Sequence, residues 1–434
     1  MSINNINEVL KEEIKRVSVG KEEYKYLNEI SRLTIKEIEK RLKKLKINAS
    51  VFIGGSLAKE TVVKKEKHDI DLFLRFDKKY PEPQINRFMR KIFFLFKVPG
   101  FKAKVKKIHG SRDYVQIIFK KHGVMIEVVP SIKIANPEEA RNITDLSYFH
   151  IKYVNDKIKK HKKLSDEIIL AKAFCHAQKC YGAESYINGF SGYALELLII
   201  NCGSFEKFLN AVADSSGKIV FDSANHYKNV SEVLNVLNPA KRQSPIILID
   251  PTSKDRNAAA SLSQETFDKF KDACRRFLNN PSIEHFEHKK VSIDKMRNYA
   301  MEIEGAFAVF HVETNKQEGD IAGTKLLKFH SFLGKELEKN FDIIEQHFEY
   351  DYGKDSYNYF IIKRKKEIVI YGPALNYKEG VENFKKTHRI WYIQDGKICA
   401  AKSPEITVKQ FLKEFNRRNK TQMKQMGITK VELA

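Results

Sequence analysis

Apolar positions across residues 22–46 fall at helical spacing, with Leu27, Ile30, Ile38, Leu42 and Leu45 on one stripe, and predict a helix. VFIGGS (51–56) follows, a short apolar run stopped by two glycines, which is the pattern of a strand entering a turn. HDIDLFLRF (68–76) alternates residue by residue and predicts a strand, as do YVQIIFK (114–120) and VMIEVVP (124–130); QINRFMRKIFFLF (84–96) reads as a helix. Such interleaving predicts a mixed sheet carrying helices. ANPEEARNITDLS (135–147) is polar and turn-rich, a boundary. From about 148 to 215 the pattern turns helical, and SQETFDKFKDACRRFL (263–278) adds another helix. The remainder alternates again, with a strand at 306–313, a helix at 323–341 and a strand or hairpin at 358–372. A helix at 378–388, a hairpin around Asp395-Gly396 and a closing helix at 407–419 complete the pattern. The reading is an α+β multidomain chain: a mixed-sheet domain at 1–143, a helical central domain at 144–280 and an α+β C-terminal region at 281–434.

Composition agrees with several packed cores. Of 434 residues 42% are hydrophobic, too many for a disordered chain, and 11 Pro with 20 Gly exclude collagen-like and linker-like architectures. Charge changes the picture more. With 78 Lys and Arg against 55 Asp and Glu the net charge is +23, which favours a polyanionic partner, nucleic acid ahead of a membrane surface. Basic runs such as KRLKKLK (40–46), KIKKHKK (157–163) and KRKK (363–366) are each, taken singly, solvated faces. No basic helix with aromatics on its opposite face argues for membrane binding. The five cysteines, Cys175, Cys180, Cys202, Cys274 and Cys399, form no CxxC pair, so neither a disulfide framework nor a zinc site is expected. An N-terminus without an apolar signal core, and the lack of any apolar run of about 18 residues, point to a cytoplasmic protein with no membrane segment.

The chemistry concentrates in FIGGSLAKETVVKKEKHDIDLFLRF (52–76). A Gly-Gly-Ser turn after a strand can offer backbone N–H groups and a hydroxyl to phosphate oxygens with little steric bulk. On a strand, side chains two apart share a face, so Asp69 and Asp71 point one way while Ile70 and Leu72 face the core. Adjacent carboxylates need a compensating cation, and hard oxygen ligands suit Mg²⁺. A third carboxylate, Glu127, stands mid-strand among Met125, Ile126, Val128 and Val129, where charge is seldom placed without purpose. A bare DxD would be a solvated strand face; the glycine turn upstream and the third acid favour a two-metal site for phosphoryl or nucleotidyl transfer. There is no GxSxG elbow and no GxxxxGK[ST] loop, which argues against a serine hydrolase and a P-loop ATPase.

Ile53-Gly54-Gly55, thirteen intervening residues and Asp69-Ile70-Asp71-Leu72 resemble the signature of the polymerase-beta-like nucleotidyltransferase superfamily. YGAESYINGFSGYALELLIINCGSF (181–205), LIDPTSKDRNAAASLS (248–263), NNPSIEHF (279–286) and YGPALN (371–376) are similar to blocks of the archaeal-type (class I) CCA-adding enzymes, tRNA nucleotidyltransferases. The resemblance runs in order along most of the chain. It implies a nucleotidyltransferase N-terminal domain, a central helical domain, and a ferredoxin-like C-terminal region that grips the tRNA acceptor stem.

The same resemblance implies catalytic and metal-binding roles for Asp69, Asp71 and Glu127, with two Mg²⁺ ions. It places Gly55, Ser56, Lys59, His150, Lys172, Tyr181 and Arg256 around the nucleotide. The family commonly carries Glu then Asp in the pair, Asp as the third acid and Arg where Lys59 stands, so this chain departs at three positions. CTP and ATP would be the substrates and the tRNA 3′ end the acceptor, with C, C and A added in turn; a homodimer is compatible. Phe329, Phe332, Phe341, Phe348 and Tyr350, interleaved with lysines, could serve RNA contact or the core. Two other readings use the same residues: a poly(A) polymerase or oligoadenylate synthetase-like enzyme, and an inactive RNA-binding protein on this fold.

Overall fold

A computed structural model describes residues 5–110, 112–288 and 292–434. The chain divides into two compact units, Met1–Lys289 and Lys290–Ala434.

In the first unit, α1 (Ile6–Val17) and α2 (Lys21–Lys44) precede β1 (Ala49–Ile53) and β2 (His68–Phe76). Then come α3 (Glu82–Phe93), β3 (Lys104–Ile108), β4 (Tyr114–Phe119) and β5 (Val124–Ile132). The strands form one sheet in the order β1-β2-β5-β4-β3. β2 and β5 run parallel, and the other pairs are antiparallel. Alternation in β2 buries Ile70, Leu72, Leu74 and Phe76 against Leu27, Ile30 and Ile38 of α2 and Ile85, Met89 and Ile92 of α3. Burial of that stripe is what commits the odd-numbered residues of β2 to the opposite face.

A second layer follows: α4 (Ser147–Lys160), α5 (Leu164–Ala177), α6 (Gly192–Cys202) and α7 (Phe205–Ala213). It continues with β6 (Ile219–Phe221), α8 (Val230–Val236), β7 (Ile246–Asp250), β8 (Ser253–Asn257) and α9 (Gln264–Asn279). The expected helical stretch is present. The three-stranded sheet β6-β7-β8 is an addition to the expected helical centre, because IILID is buried at every position and a short run without periodicity does not declare its state. α5 is apolar nearly all round and is accordingly enclosed, packing Phe174 against Phe205, Phe270, Phe277 and Phe286. Cys175, Cys180 and Cys274 lie in this core, and all five cysteines are free thiols.

The second unit contains α10 (Ile293–Glu302), β9 (Ala306–Thr314), α11 (Asp320–Leu337), β10 (Phe341–Tyr350) and β11 (Asp355–Arg364). After these come β12 (Ile368–Ala374), α12 (Lys378–Thr387), β13 (Tyr392–Gln394), β14 (Lys397–Lys402), α13 (Val408–Arg418), α14 (Lys420–Met426) and β15 (Ile428–Leu433). Its main sheet is antiparallel in the order β10-β11-β9-β15. Taken as β9-α11-β10-β11-α13-β15 this is the βαββαβ ferredoxin-like arrangement, with β12, α12, β13 and β14 inserted. The segment 358–372, expected as a strand or hairpin, is strand at both ends but no hairpin: β11 and β12 belong to different sheets. The hairpin at Asp395-Gly396 forms, both residues having positive φ as a tight two-residue turn requires. The helix expected at 407–419 forms as α13, with α14 and β15 following it, and Phe329, Phe332, Phe341, Phe348 and Tyr350 serve the core of this unit.

Candidate active site

The turn after β1 is pressed against β2. The Gly54 amide donates to the Asp71 carbonyl at 2.7 Å. Gly55 has φ +56°, and a Cβ there would fall on Oδ2 of Asp71. Only glycine satisfies both demands, so the spacing from turn to acid is a packing requirement as well as a chemical one. The Ser56 carbonyl accepts from the amides of Lys59 and Thr61 at 3.2 and 3.0 Å, folding the segment into a compact corner. Asn155 of α4 secures the corner by donating to the Ala58 carbonyl at 3.1 Å.

Asp71 lies directly across from Glu127 in the parallel β2–β5 register, and Asp69 across from Met125. Thus the three predicted acids share one sheet face. From β4, Gln116 donates to Glu127 Oε1 at 2.8 Å. Burial raises the pKa of Glu127 to about 7, opposed by the Gln116 bond and reinforced by Asp71 and Asp69. Burial also raises Asp71, with Lys59 pulling it back, and raises Asp69, with Lys65 pulling it back. As placed, the three carboxylates do not all come within 4.8 Å of one another; among the described residues only His311, Glu313 and Glu432 do so, on the C-terminal sheet. A set of acids that share a face, repel one another and resist ionisation is the donor chemistry that a divalent cation relieves.

Lys59 and Lys172 are both brought to the site, and both meet a residue that the sequence reading left unassigned. Glu196 of α6 takes Lys59 Nζ at 2.5 Å and Lys172 Nζ at 2.8 Å. Lys172 also donates to the Thr61 hydroxyl at 2.9 Å. Tyr181 stacks on His176 with ring centroids 3.8 Å apart, and a Cβ on Gly192 would sit 2.8 Å from its hydroxyl. The start of α6 therefore leaves room for that phenol only because Gly192 has no side chain. Lys65 rests 5.7 Å over the Tyr181 ring and feels the charge of Asp69.

His150 and Arg256 gather elsewhere on the same layer, around Asp250. Arg256 Nη1 meets Asp250 Oδ2 at 2.5 Å, His150 Nε2 lies 3.0 Å from the same oxygen, and the Tyr193 hydroxyl donates to Oδ1 at 3.1 Å. His150 and Tyr193 stack with centroids 4.1 Å apart. Burial lowers the His150 pKa, partly offset by Asp250, so the ring favours its neutral form. Asp250 is fully buried, yet hydrogen bonding from His150, the charge of Arg256 and the Thr252 amide hold its carboxyl well below the ordinary range. Glu196 and Asp250 each interrupt an apolar run, YALELLII and PIILIDP, the same signal that marked Glu127. No helix among the described residues is long and apolar enough to cross a membrane.

Comparisons with known proteins match the stretches of chain that carry these residues. The nucleotidyltransferase domain family matches residues 35–162, and the second domain of tRNA nucleotidyltransferases matches residues 166–287. The CCA-adding enzyme of Nanoarchaeum equitans is 37% identical over 290 residues, covering 67% of each chain. That of Methanocaldococcus jannaschii is 29% identical over 424 residues, 92% of this chain and 88% of that one. That of Pyrococcus abyssi is 30% identical over 362 residues, 80% and 76%. Among solved structures, the Cid1 poly(U) polymerase with Mg and 3′-dATP superposes with a TM-score of 0.51 at 13% identity, over 66% of this chain and all of its own; the likeness is one of fold. Enzymes of the nucleotidyltransferase superfamily depend on divalent metal. On the strength of these relatives, which follow the sequence through both matched domains, the chain belongs to the CCA-adding enzymes, nucleotidyltransferases that build the CCA end of tRNA.

Proposed function

We propose that Asp69, Asp71 and Glu127 form the catalytic acid set for CMP and AMP transfer, and that they hold Mg²⁺, two ions in the working complex. The facing of Asp71 and Glu127 on β2 and β5, with the glycine turn closed on Asp71, is the observation that carries this reading. Bound there, divalent ions would acidify the tRNA 3′-hydroxyl and neutralise charge on the triphosphate and on the pyrophosphate as it leaves. The bond formed joins the 3′-oxygen to the α-phosphorus, and the bond broken is the α–β phosphoanhydride. No covalent intermediate on the protein is needed.

The remaining residues bind and orient. Gly55 and Ser56 present backbone and hydroxyl donors to the phosphates. Lys59 and Lys172 supply positive charge behind Asp71, and Tyr181 and Lys65 border the acid set from the α5–α6 side. His150 and Arg256, anchored on Asp250, belong to the nucleotide's other end, where a neutral imidazole stacked on Tyr193 suits a base or sugar better than a phosphate. Residues 1–143 would then be the catalytic domain, 144–280 the nucleotide-positioning domain and 281–434 the region that holds the tRNA acceptor stem, chiefly through phosphates and 2′-hydroxyls. We place the reaction in the cytoplasm; a homodimer is compatible with it.

The deciding experiment offers CTP and ATP, separately and together, to a tRNA that ends at the discriminator base. Addition of two C and one A with Mg²⁺ present is the expected product. A run of A alone would favour a poly(A) polymerase-like activity, and no incorporation with retained tRNA binding would favour an inactive RNA-binding protein.

A further inference from the structure

Glu196 is 1% exposed, on a helix whose neighbouring positions Ala194, Leu195, Leu197, Leu198 and Ile199 are all buried. A carboxylate in such surroundings persists only if compensated. Its compensation comes from two elements remote from one another in sequence: Lys59 from the corner after Gly54-Gly55, and Lys172 from α5. Two ammonium groups brought this close repel, and the carboxylate between them is what allows both to stay.

The hydrogen bonds divide the two lysines. Lys172 aims at Glu196 Oε1, at the Thr61 hydroxyl and at the Thr61 carbonyl, at 2.8, 2.9 and 3.4 Å, which uses its three N–H donors. Lys59 has one acceptor among the described residues, Glu196 Oε2 at 2.5 Å, and so keeps two donors for an incoming anion. Glu196 and Asp71 together balance the two cations, and both lysines favour the ionised form of Asp71. Glu196 is thus joined at once to the phosphate-binding corner, to α5 and, by charge, to the acid set.

From this geometry we infer that Glu196 is a positioning residue for nucleotidyl transfer: its single carboxylate aims Lys59 at the triphosphate while Lys172 braces it from behind. The inference rests on the proposed nucleotide-binding role of Lys59. A clamp that merely joined two layers would stabilise the fold without setting nucleotide affinity, and the two roles separate experimentally.

The test uses the full chain with Glu196→Gln and Glu196→Asp, each in the native and the Lys59→Met background, assayed for CMP incorporation from CTP on tRNA lacking its CCA end. Glu196→Gln should raise KM for CTP about tenfold or more while KM for tRNA stays put, and Glu196→Asp should recover part of the loss. In the Lys59→Met background Glu196→Gln should add less than about threefold. Equal losses in the two backgrounds, or an unchanged KM for CTP, overturn the inference. If Lys59→Met alone leaves KM for CTP untouched, the nucleotide-binding reading of Lys59 fails and takes the inference with it; if it raises KM but the losses multiply, only the role of Glu196 fails. Should the Gln variant not fold, Glu196→Asp in the two backgrounds gives the same comparison.

Discussion

Glu127 faces Asp71 across the parallel β2–β5 pair and is held from its other side by Gln116. Glu127, one methylene longer than an Asp, thus has a partner that fixes its side chain.

Asp71→Asn keeps the shape of the site and removes a charge that the proposed metal-binding acid set requires. CMP incorporation should fall roughly 10²–10⁴-fold, with tRNA affinity by filter binding unchanged within error.

Glu127 sets a pH dependence of stability. Its pKa rises from 4.5 in the unfolded chain to about 7 in the metal-free fold, so the folded state keeps a proton that the unfolded chain has already lost. Stability should therefore decline as pH climbs from about 4.5 to about 7 and then level. Urea titrations with chelator present should show this decline, and Glu127→Gln should flatten it. Added Mg²⁺ should stabilise the native protein more at about pH 8 than at about pH 5, since it competes with that proton.

Gly55→Ala places a methyl group where Asp71 Oδ2 lies and strains a positive φ. A loss of about 1–3 kcal/mol in stability is expected. Activity should drop further than that loss explains, read as kcat at a temperature where the variant remains folded.

Asp250→Asn leaves Arg256 short of its counter-ion and the His150–Tyr193 stack without its anchor. The expected costs are about 3 kcal/mol in stability and a higher KM for ATP and CTP alike. An unchanged KM in a folded variant would separate this cluster from nucleotide binding.

What the sequence disclosed followed from periodicity and from charge out of place. β2 was legible because its alternation is unbroken from His68 to Phe76, and Glu127 because a lone acid in an apolar strand stands out. Glu196 and Asp250 carry the same mark, but on a helix and at a strand end their partners are separated by long stretches of chain, and partner identity is a property of the fold. β10 (FDIIEQHFEY) and β15 were missed because the first is polar on its open side and the second follows directly on a helical pattern. The pairing of 358–372 was misread because adjacency in sequence does not choose between two sheets.

The strand that presents Asp69 and Asp71 outward buries Ile70 and Leu72 inward by the same two-residue rhythm. Inserting or deleting one residue inside His68–Phe76 would invert both sets together, sending carboxylates into the oil and aliphatics to the substrate. A change of length is therefore tolerable only in the connection between corner and strand, residues 60–67, and a loss of catalysis by frame slippage within the strand would be a loss of the domain itself.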